Sequence, residues 1–540
     1  MKKVKVLLFC IMMLLSINLV FQIDVVKAGG KNVLYVGGSG PGNYSSIQSA
    51  IDDASAGDTV FVYNGIYPEN LVVNESIALL GENRQTTVID CDGNIGINII
   101  SYMVSIKGFT IQHGSSGIKL DFSSNNNITD NIITDNDGDG IYLDSSSNNN
   151  IAGNIITGNS NSGLYMGYGS DNNTILENNI EDNSIDGIFS WFSSNNNMIL
   201  ENTIKGNNAV GVFLGSSSNN NIIGNTIMDN SLGGIQLGSS SDNNILSDNT
   251  ITDNGGTGMD LYASSNFNTV SGNTVTDSNE RGIKISDSSY NILSGNTIEN
   301  NNFEGMLLSS SSNNNISDNI INVNKLDGIY MNYESDNNIF LENTIKNNKK
   351  YGIFHVSSTN SKIIGNTITD NNEYGIGLSY SSNNNITGNI VNGNIISGIG
   401  LLASSDNTVI ANTVRDNNQI GIYIYYISDN NIVSNNNIVN NNLYGIYVDY
   451  SNNNIILEND IMSSNHSIRL EASQGNEIKN NNFKNCNYLA SFKDCPKNIW
   501  NHNFWGRPRL FPKIIFGSKS FGQMIIPWIN IDKNPAIKTN

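Results

Sequence analysis

Apolar residues fall along this chain in short alternating triplets instead of helical stripes. Residues 221–237 read Asn-Ile-Ile-Gly-Asn-Thr-Ile-Met-Asp-Asn-Ser-Leu-Gly-Gly-Ile-Gln-Leu and hold three such segments, 221–223, 225–227 and 234–237. Segments this short with period-two apolar positions predict β-strands and exclude helices. The Asn, Asp, Ser and Gly between them supply turns and tolerate left-handed backbone.

The unit repeats. A Gly followed by an apolar residue returns fifteen times from Gly117 to Gly445, always 23 or 24 residues on, and an Asn keeps the same beat from Asn202 to Asn412. A unit of this size cannot bury its own core, so neighbouring units must stack. The expected fold is all-β: a single-stranded, right-handed parallel β-helix of 23–24-residue coils. Each strand pairs with its counterpart one coil away at about 4.8 Å, so fifteen coils predict a rod roughly 70 Å long. Ile and Leu should form interior columns, and stacked Asn should form amide ladders as in cross-β assemblies.

The ends depart from the repeat. Residues 45–56 carry Ile47, Ala50, Ile51 and Ala54 at helical spacing behind an N-cap at Ser45, which predicts an N-terminal capping helix. No proline stands between Pro68 and Pro496, whereas five of the seven lie in the last 45 residues, beside Trp500, Trp505 and Trp528. The expected organisation is a signal peptide over 1–28, an N-terminal cap with irregular first coils over 29–115, regular repeats over 116–483 and a C-terminal capping segment over 484–540. The signal peptide rests on Lys2, Lys3 and Lys5, the apolar run 6–21, and Ala28 before Gly29. Export to the periplasm, the cell surface or the medium follows, with no membrane span in the mature chain.

Composition narrows the partners. The net charge is −20 with only 14% of residues charged, so no basic patch is available for nucleic acid or an anionic membrane surface. Cys486 and Cys495 are close enough in sequence to suggest a disulfide in an oxidising compartment.

The Asn-Asn-Ile-Ile-x-Gly-Asn-Thr-Ile…Gly-Ile-x-Leu units over 117–483, with the opening 43–67, resemble the right-handed parallel β-helix proteins of the pectin-lyase-like superfamily. Within it they are most similar to the NosD-like branch, also called carbohydrate-binding and sugar-hydrolase repeats. The resemblance implies the fold. It allows several functions: polysaccharide lyases, epimerases, glycosidases, surface adhesins and a periplasmic protein linked to maturation of a copper enzyme.

The leading candidate site is the column two residues after each repeat glycine, which alternation turns outward. Eight of its fifteen members are aromatic (Tyr142, Tyr165, Phe189, Phe213, Tyr330, Phe354, Tyr423 and Tyr447), against 8% of the chain. Ring faces one coil apart suit the apolar faces of successive sugars, although cross-strand pairing explains stacked rings equally well. The expected partner is therefore a polysaccharide or cell-surface glycan, with an envelope scaffold as the alternative role. Asp260, Arg281 and Lys284 break the aromatic column and are the candidates for polysaccharide-modifying catalysis. The Gly-His-Gly and twin-Asp motifs of polygalacturonases are missing, and no complete catalytic motif is present. Asp135, Asp137 and Asp139 open like a calcium loop, but Ser146 stands where its closing Glu belongs. The four histidines, His113, His355, His466 and His502, are far apart, so no cofactor is expected apart from that calcium candidate.

Overall fold

In the computed structural model of the protein, residues 32–521 and 524–539 are described; the expected signal peptide lies outside them. The chain winds as a right-handed parallel β-solenoid of about 21 turns with three parallel sheets and almost no helix. At the spacing of paired strands this makes a rod roughly 100 Å long, longer than the repeat glycines alone imply because coils outside 117–445 stack in the same way.

One coil shows the plan. Asn221–Ile223 belongs to the first sheet, Thr226–Met228 to the second and Gly233–Gly238 to the third. Each strand pairs in parallel with its equivalents in the neighbouring coils, so Ile199, Ile222 and Leu246 fall in one row. Ile222, Ile227, Ile235 and Leu237 of this coil are fully buried, and their equivalents form the continuous aliphatic core.

The repeat glycine is required by close approach. A Cβ on Gly258 would stand 2.4 Å from Val275 Cγ1 and 2.8 Å from the Gly282 carbonyl oxygen, which no side chain tolerates. The alternation of 23- and 24-residue units also has a location. The longer coils carry a second left-handed residue in the turn after the third-sheet strand, as at Ser239 and Ser240, where the shorter coil before it has Ser216 alone.

Buried asparagines run along the corners in three ladders, and a serine ladder runs beside them. Asn249 is typical. Its Oδ1 accepts from the backbone N–H of Asn225 at 3.0 Å and from Asn225 Nδ2 at 3.0 Å. Its own Nδ2 donates to the Ile222 carbonyl at 2.8 Å and to Asn273 Oδ1 at 2.9 Å. The amides thus satisfy backbone groups that the corners would otherwise bury unpaired.

The helix α1 (Ile47–Asp53) packs on the first coils through Ile47, Ala50 and Ile51. Its N-cap is Ser46, one residue later than the sequence suggests. The carboxylate of Glu69 completes the cap, accepting from the Ile47 and Gln48 amides at 2.9 and 3.0 Å. At the other end the sheets continue through Tyr488–Lys493, Ile499–Asn501 and Phe504–Trp505. An antiparallel hairpin, Lys513–Phe521 with Met524–Asp532, then adds to the third sheet.

The Cys486–Cys495 bridge is corrected by the structure: both thiols are free. The two cysteines flank the strand Tyr488–Lys493, whose six residues span roughly 20 Å, far beyond disulfide reach. Each thiol instead ends a corner ladder. Cys486 Sγ accepts from the Ser464 amide at 3.3 Å, and Cys495 Sγ from the Ser473 amide at 3.5 Å.

Candidate functional site

The outer face of the third sheet carries the chemistry that the sequence singles out. Register aligns the expected column without a break: Tyr142, Tyr165, Phe189 and Phe213 are successive partners, then Gln236, Asp260, Lys284 and Leu307, then Tyr330 and Phe354. Strand alternation places these side chains outside while their neighbours fill the core.

The rings do not offer their faces as the sequence suggests. Tyr142 and Tyr165 stack at 4.7 Å and 3°, followed by Phe189 at 5.5 Å and Phe213 at 5.1 Å. Lys119 Nζ sits 5.8 Å from the Tyr142 centroid and covers the outer end. Trp191 lies beside Phe189 and Phe213, over Gly215. Rings in such a stack spend their faces on one another and present edges and hydroxyls to solvent. The second stack is longer. Tyr330 meets Phe354 at 5.7 Å, and Tyr351 stacks on Phe354 at 4.2 Å and on Tyr374 at 5.4 Å. The Tyr374 and Tyr425 hydroxyls share a hydrogen bond, and Tyr423 stacks on Tyr425 at 4.2 Å and on Tyr447 at 5.1 Å. Tyr444, His466 and Tyr488 complete the run.

Tyr351, Tyr374 and Tyr444 escaped the sequence reading because they precede the repeat glycine; Trp191 and Tyr425 escaped it because they lie two positions beyond the tracked column. Their signal was present, since both positions recur with the same period. Gly377 and Gly400 leave the tracked column empty, and there Tyr351 and Tyr374 lie over the bare backbone, with a Cβ on either glycine falling 2.7 and 2.6 Å from the respective ring.

Between the stacks lies a polar gap. Lys284 Nζ is 2.9 Å from Asp260 Oδ2, while Asp260 Oδ1 is buried without a hydrogen-bond partner. Desolvation raises the Asp260 carboxyl above its usual range against the opposing pull of Lys284 and Arg281. Arg281 Nε stands 2.8 Å from Glu304 Oε2, an ion pair without the alignment of a hydrogen bond, and its guanidinium lies over the Phe303 ring. The structure therefore brings Asp260, Arg281 and Lys284 together, with both cations already engaged by carboxylates.

The calcium candidates do not converge. Asp135 contacts the Thr134 hydroxyl, Asp137 is exposed, and Asp139 is buried with its carboxylate accepting from the Ser162 amide at 3.0 Å. Asp186 and Asp327 do the same for Val210 and Tyr351, each at 2.8 Å. Burial pushes Asp139 and Asp186 up to about 6 and Asp327 up to about 7.

The fold defines a parallel β-helix protein, and its third sheet carries two aromatic stacks and a polar gap on one long outer face. Matches to the family described as periplasmic copper-binding protein (NosD) cover residues 51–232, 207–326, 301–417 and 371–508, and the chain belongs to that family. No curated protein matches it. Among solved structures, the Azotobacter vinelandii mannuronan C-5 epimerase AlgE6 A-module is 18% identical over 68% of this chain and 93% of its own, with a TM-score of 0.35. The periplasmic alginate epimerase AlgG is 12% identical over 61% and 76%, at 0.33. The Dettilon tailspike protein gp208 is 15% identical over 60% and 66%, at 0.36. At these values the likeness supports no functional argument.

Copper, which the family description implies, does not fit the donors present. Among the described residues no group of three or more His, Cys, Asp or Glu side chains stands where a metal ion could be held. His113 bonds Asp90 at 2.6 Å, and His466 lies between Tyr444 and Tyr488. His355 and the thioethers of Met166, Met259, Met306 and Met331 are sealed in the core. Among the described residues, no helix is long and apolar enough to cross a membrane.

Proposed function

We propose that this protein is exported to the periplasm or cell surface, where it binds a polysaccharide along the outer face of the third sheet. One observation carries the reading: a single outer face holds two aromatic stacks, separated by a gap where Gln236, Asp260 and Lys284 replace the rings. A glycan on this face meets tyrosine hydroxyls along each stack, hydrogen-bonding side chains in the gap, and the stack ends at Phe213 and Tyr330. Recognition of this kind combines apolar contact with a few placed polar groups. The test is a glycan array probed with the full chain, followed by titration of the double variant Asp260→Asn/Lys284→Met. Roughly tenfold weaker binding is expected; retention of no glycan of any class would refute the reading.

A second reading is favoured by the buried, partly unpartnered Asp260 carboxyl beside two cations: a polysaccharide-modifying enzyme acting in the gap. Appearance of cleaved or epimerised product from a uronate polymer, lost on Lys284→Ala, would establish it. A product unaffected by that change would remove it.

A further inference from the structure

A row of well-exposed aromatic residues lies at the corner that follows each third-sheet strand, away from the two stacks. Five residues after the repeat glycine the chain turns with a left-handed residue, and seven of the fifteen coils place Ser or Ala there, as at Ser216, Ser310 and Ala403. Seven coils place an aromatic ring instead. Tyr333, Tyr380, Tyr426 and Tyr450 have φ between 46° and 53°, and Phe122, Tyr168 and Phe192, between 49° and 56°, share that conformation. All seven are between 49 and 68% exposed. A bulky side chain in left-handed backbone is unfavourable, and rings this open recover little of that cost by burial. Apart from the Tyr168–Phe192 pair at 5.0 Å, these rings do not stack on one another, so their faces remain available.

Their spacing is regular. Tyr333, Tyr380 and Tyr426 occupy every second coil, with Ser357 and Ala403 between them, so consecutive rings stand about 10 Å apart along the rod. Phe122 and Tyr168 repeat the arrangement around Ser145. In an extended β-1,4-linked chain each sugar is turned over relative to the last, so every second ring presents the same face. Two sugars of such a chain span about the length of two coils, and the small residue between the rings leaves the intervening sugar unobstructed. The column holds no Lys or Arg from Phe122 to Ala472, and the chain as a whole carries −20, which repels polyuronates and favours an uncharged polymer.

We infer that this corner is a carbohydrate-stacking ridge for a neutral, extended β-1,4-linked polysaccharide. The inference rests on the glycan-binding reading above and supplies the open ring faces that the sheet stacks lack.

The experiment uses the full chain with cellohexaose and chitohexaose as neutral β-1,4-linked probes, laminarin as a neutral polymer of different linkage, and polygalacturonate. The ridge variant is Tyr333→Ser/Tyr380→Ser/Tyr426→Ser, which installs a residue other coils already use and so keeps the fold; thermal unfolding checks this. The expected result is binding of a β-1,4-linked probe, weakened roughly tenfold or more by the ridge variant and unchanged by Phe267→Asn/Tyr290→Asn, which removes two exposed rings at a different corner. Equal binding of laminarin, or a preference for polygalacturonate, overturns the glycan class. Binding lost only in the Asp260/Lys284 variant overturns the ridge and leaves the sheet-face reading standing. Self-association of the protein that disappears in the ridge variant, without glycan binding, overturns the inference in favour of a second copy. Binding to no probe or array glycan overturns both readings.

Discussion

Asp532 Oδ2 accepts from the backbone amide of Asn503 at 3.1 Å and from its side-chain amide at 3.3 Å, taking the place that one more asparagine would fill. The same oxygen accepts from Trp505 Nε1 at 3.0 Å. A carboxylate has no N–H of its own to leave unpaired, so it ends a ladder that an amide would only pass on.

Asp532→Ala is therefore expected to strand buried donors and destabilise the last coils by about 3 kcal/mol. Hydrogen exchange should show the loss around 499–505, with Trp505 fluorescence following. Asp532→Asn, which keeps an acceptor, should cost less than half as much. Unchanged protection in Asp532→Ala would show that the hairpin alone holds this end.

Cys486, Cys495 and Cys91 are expected to be recovered as free thiols when never-reduced protein is denatured and titrated. In the folded state the buried pair should alkylate slowly at pH 8, because desolvation pushes the Cys495 thiol up to about 11 and Cys91 up to about 12, leaving little thiolate. A peptide map with Cys486 linked to Cys495 would contradict the separation of the two corners.

His355 occupies the core row of Leu378, with Met331 in the coil before. Both of its ring nitrogens are buried without partners, and burial lowers its pKa from 6.5 to about 3. Between those values the unfolded chain binds the proton and the folded one does not, so stability falls as pH drops. By pH 4 the cost is on the order of 3 kcal/mol. His355→Leu, the residue used in neighbouring coils, is expected to raise stability at pH 7 and to flatten the decline between pH 6.5 and 4. Parallel urea titrations of the two proteins would decide it; an identical pH slope would mean the ring is protonated in the fold.

Asp327 has the opposite sign. Its folded pKa stands at about 7, above the ordinary 3.8, chiefly through burial, with Glu304 and Glu373 adding and Lys350 opposing. The folded state holds the proton longer, so this group's contribution is full below pH 3.8 and lost as pH rises through 7. Asp327→Asn keeps an acceptor for the Tyr351 amide and should stabilise the protein at pH 8, by up to about 4 kcal/mol, while changing little at pH 4. A variant less stable at pH 8 would show that the carboxylate is needed as a charge.

Much of the architecture was legible because every row of the repeat alignment becomes a physical row of the rod. The spacing from Gly117 to Gly445 implied parallel stacking, the alternation around Tyr142 implied an outward side chain, and the period of Asn225, Asn249 and Asn273 implied an amide ladder; each depends only on local period and strand pairing. Ring orientation is not local. Whether Tyr142 offers its face or its edge depends on Tyr165 one coil away, and packing turned the faces inward on one another. Sequence distance also misled at Cys486 and Cys495, since nine residues along a solenoid lead from one corner to the next. The amino-acid sequence by itself determined which residues share a stripe, because the repeat period equals one turn. Only the tertiary structure decided which stripes keep an open ring face and which carboxylates meet a cation, because exposure and charge pairing are set by contacts between coils.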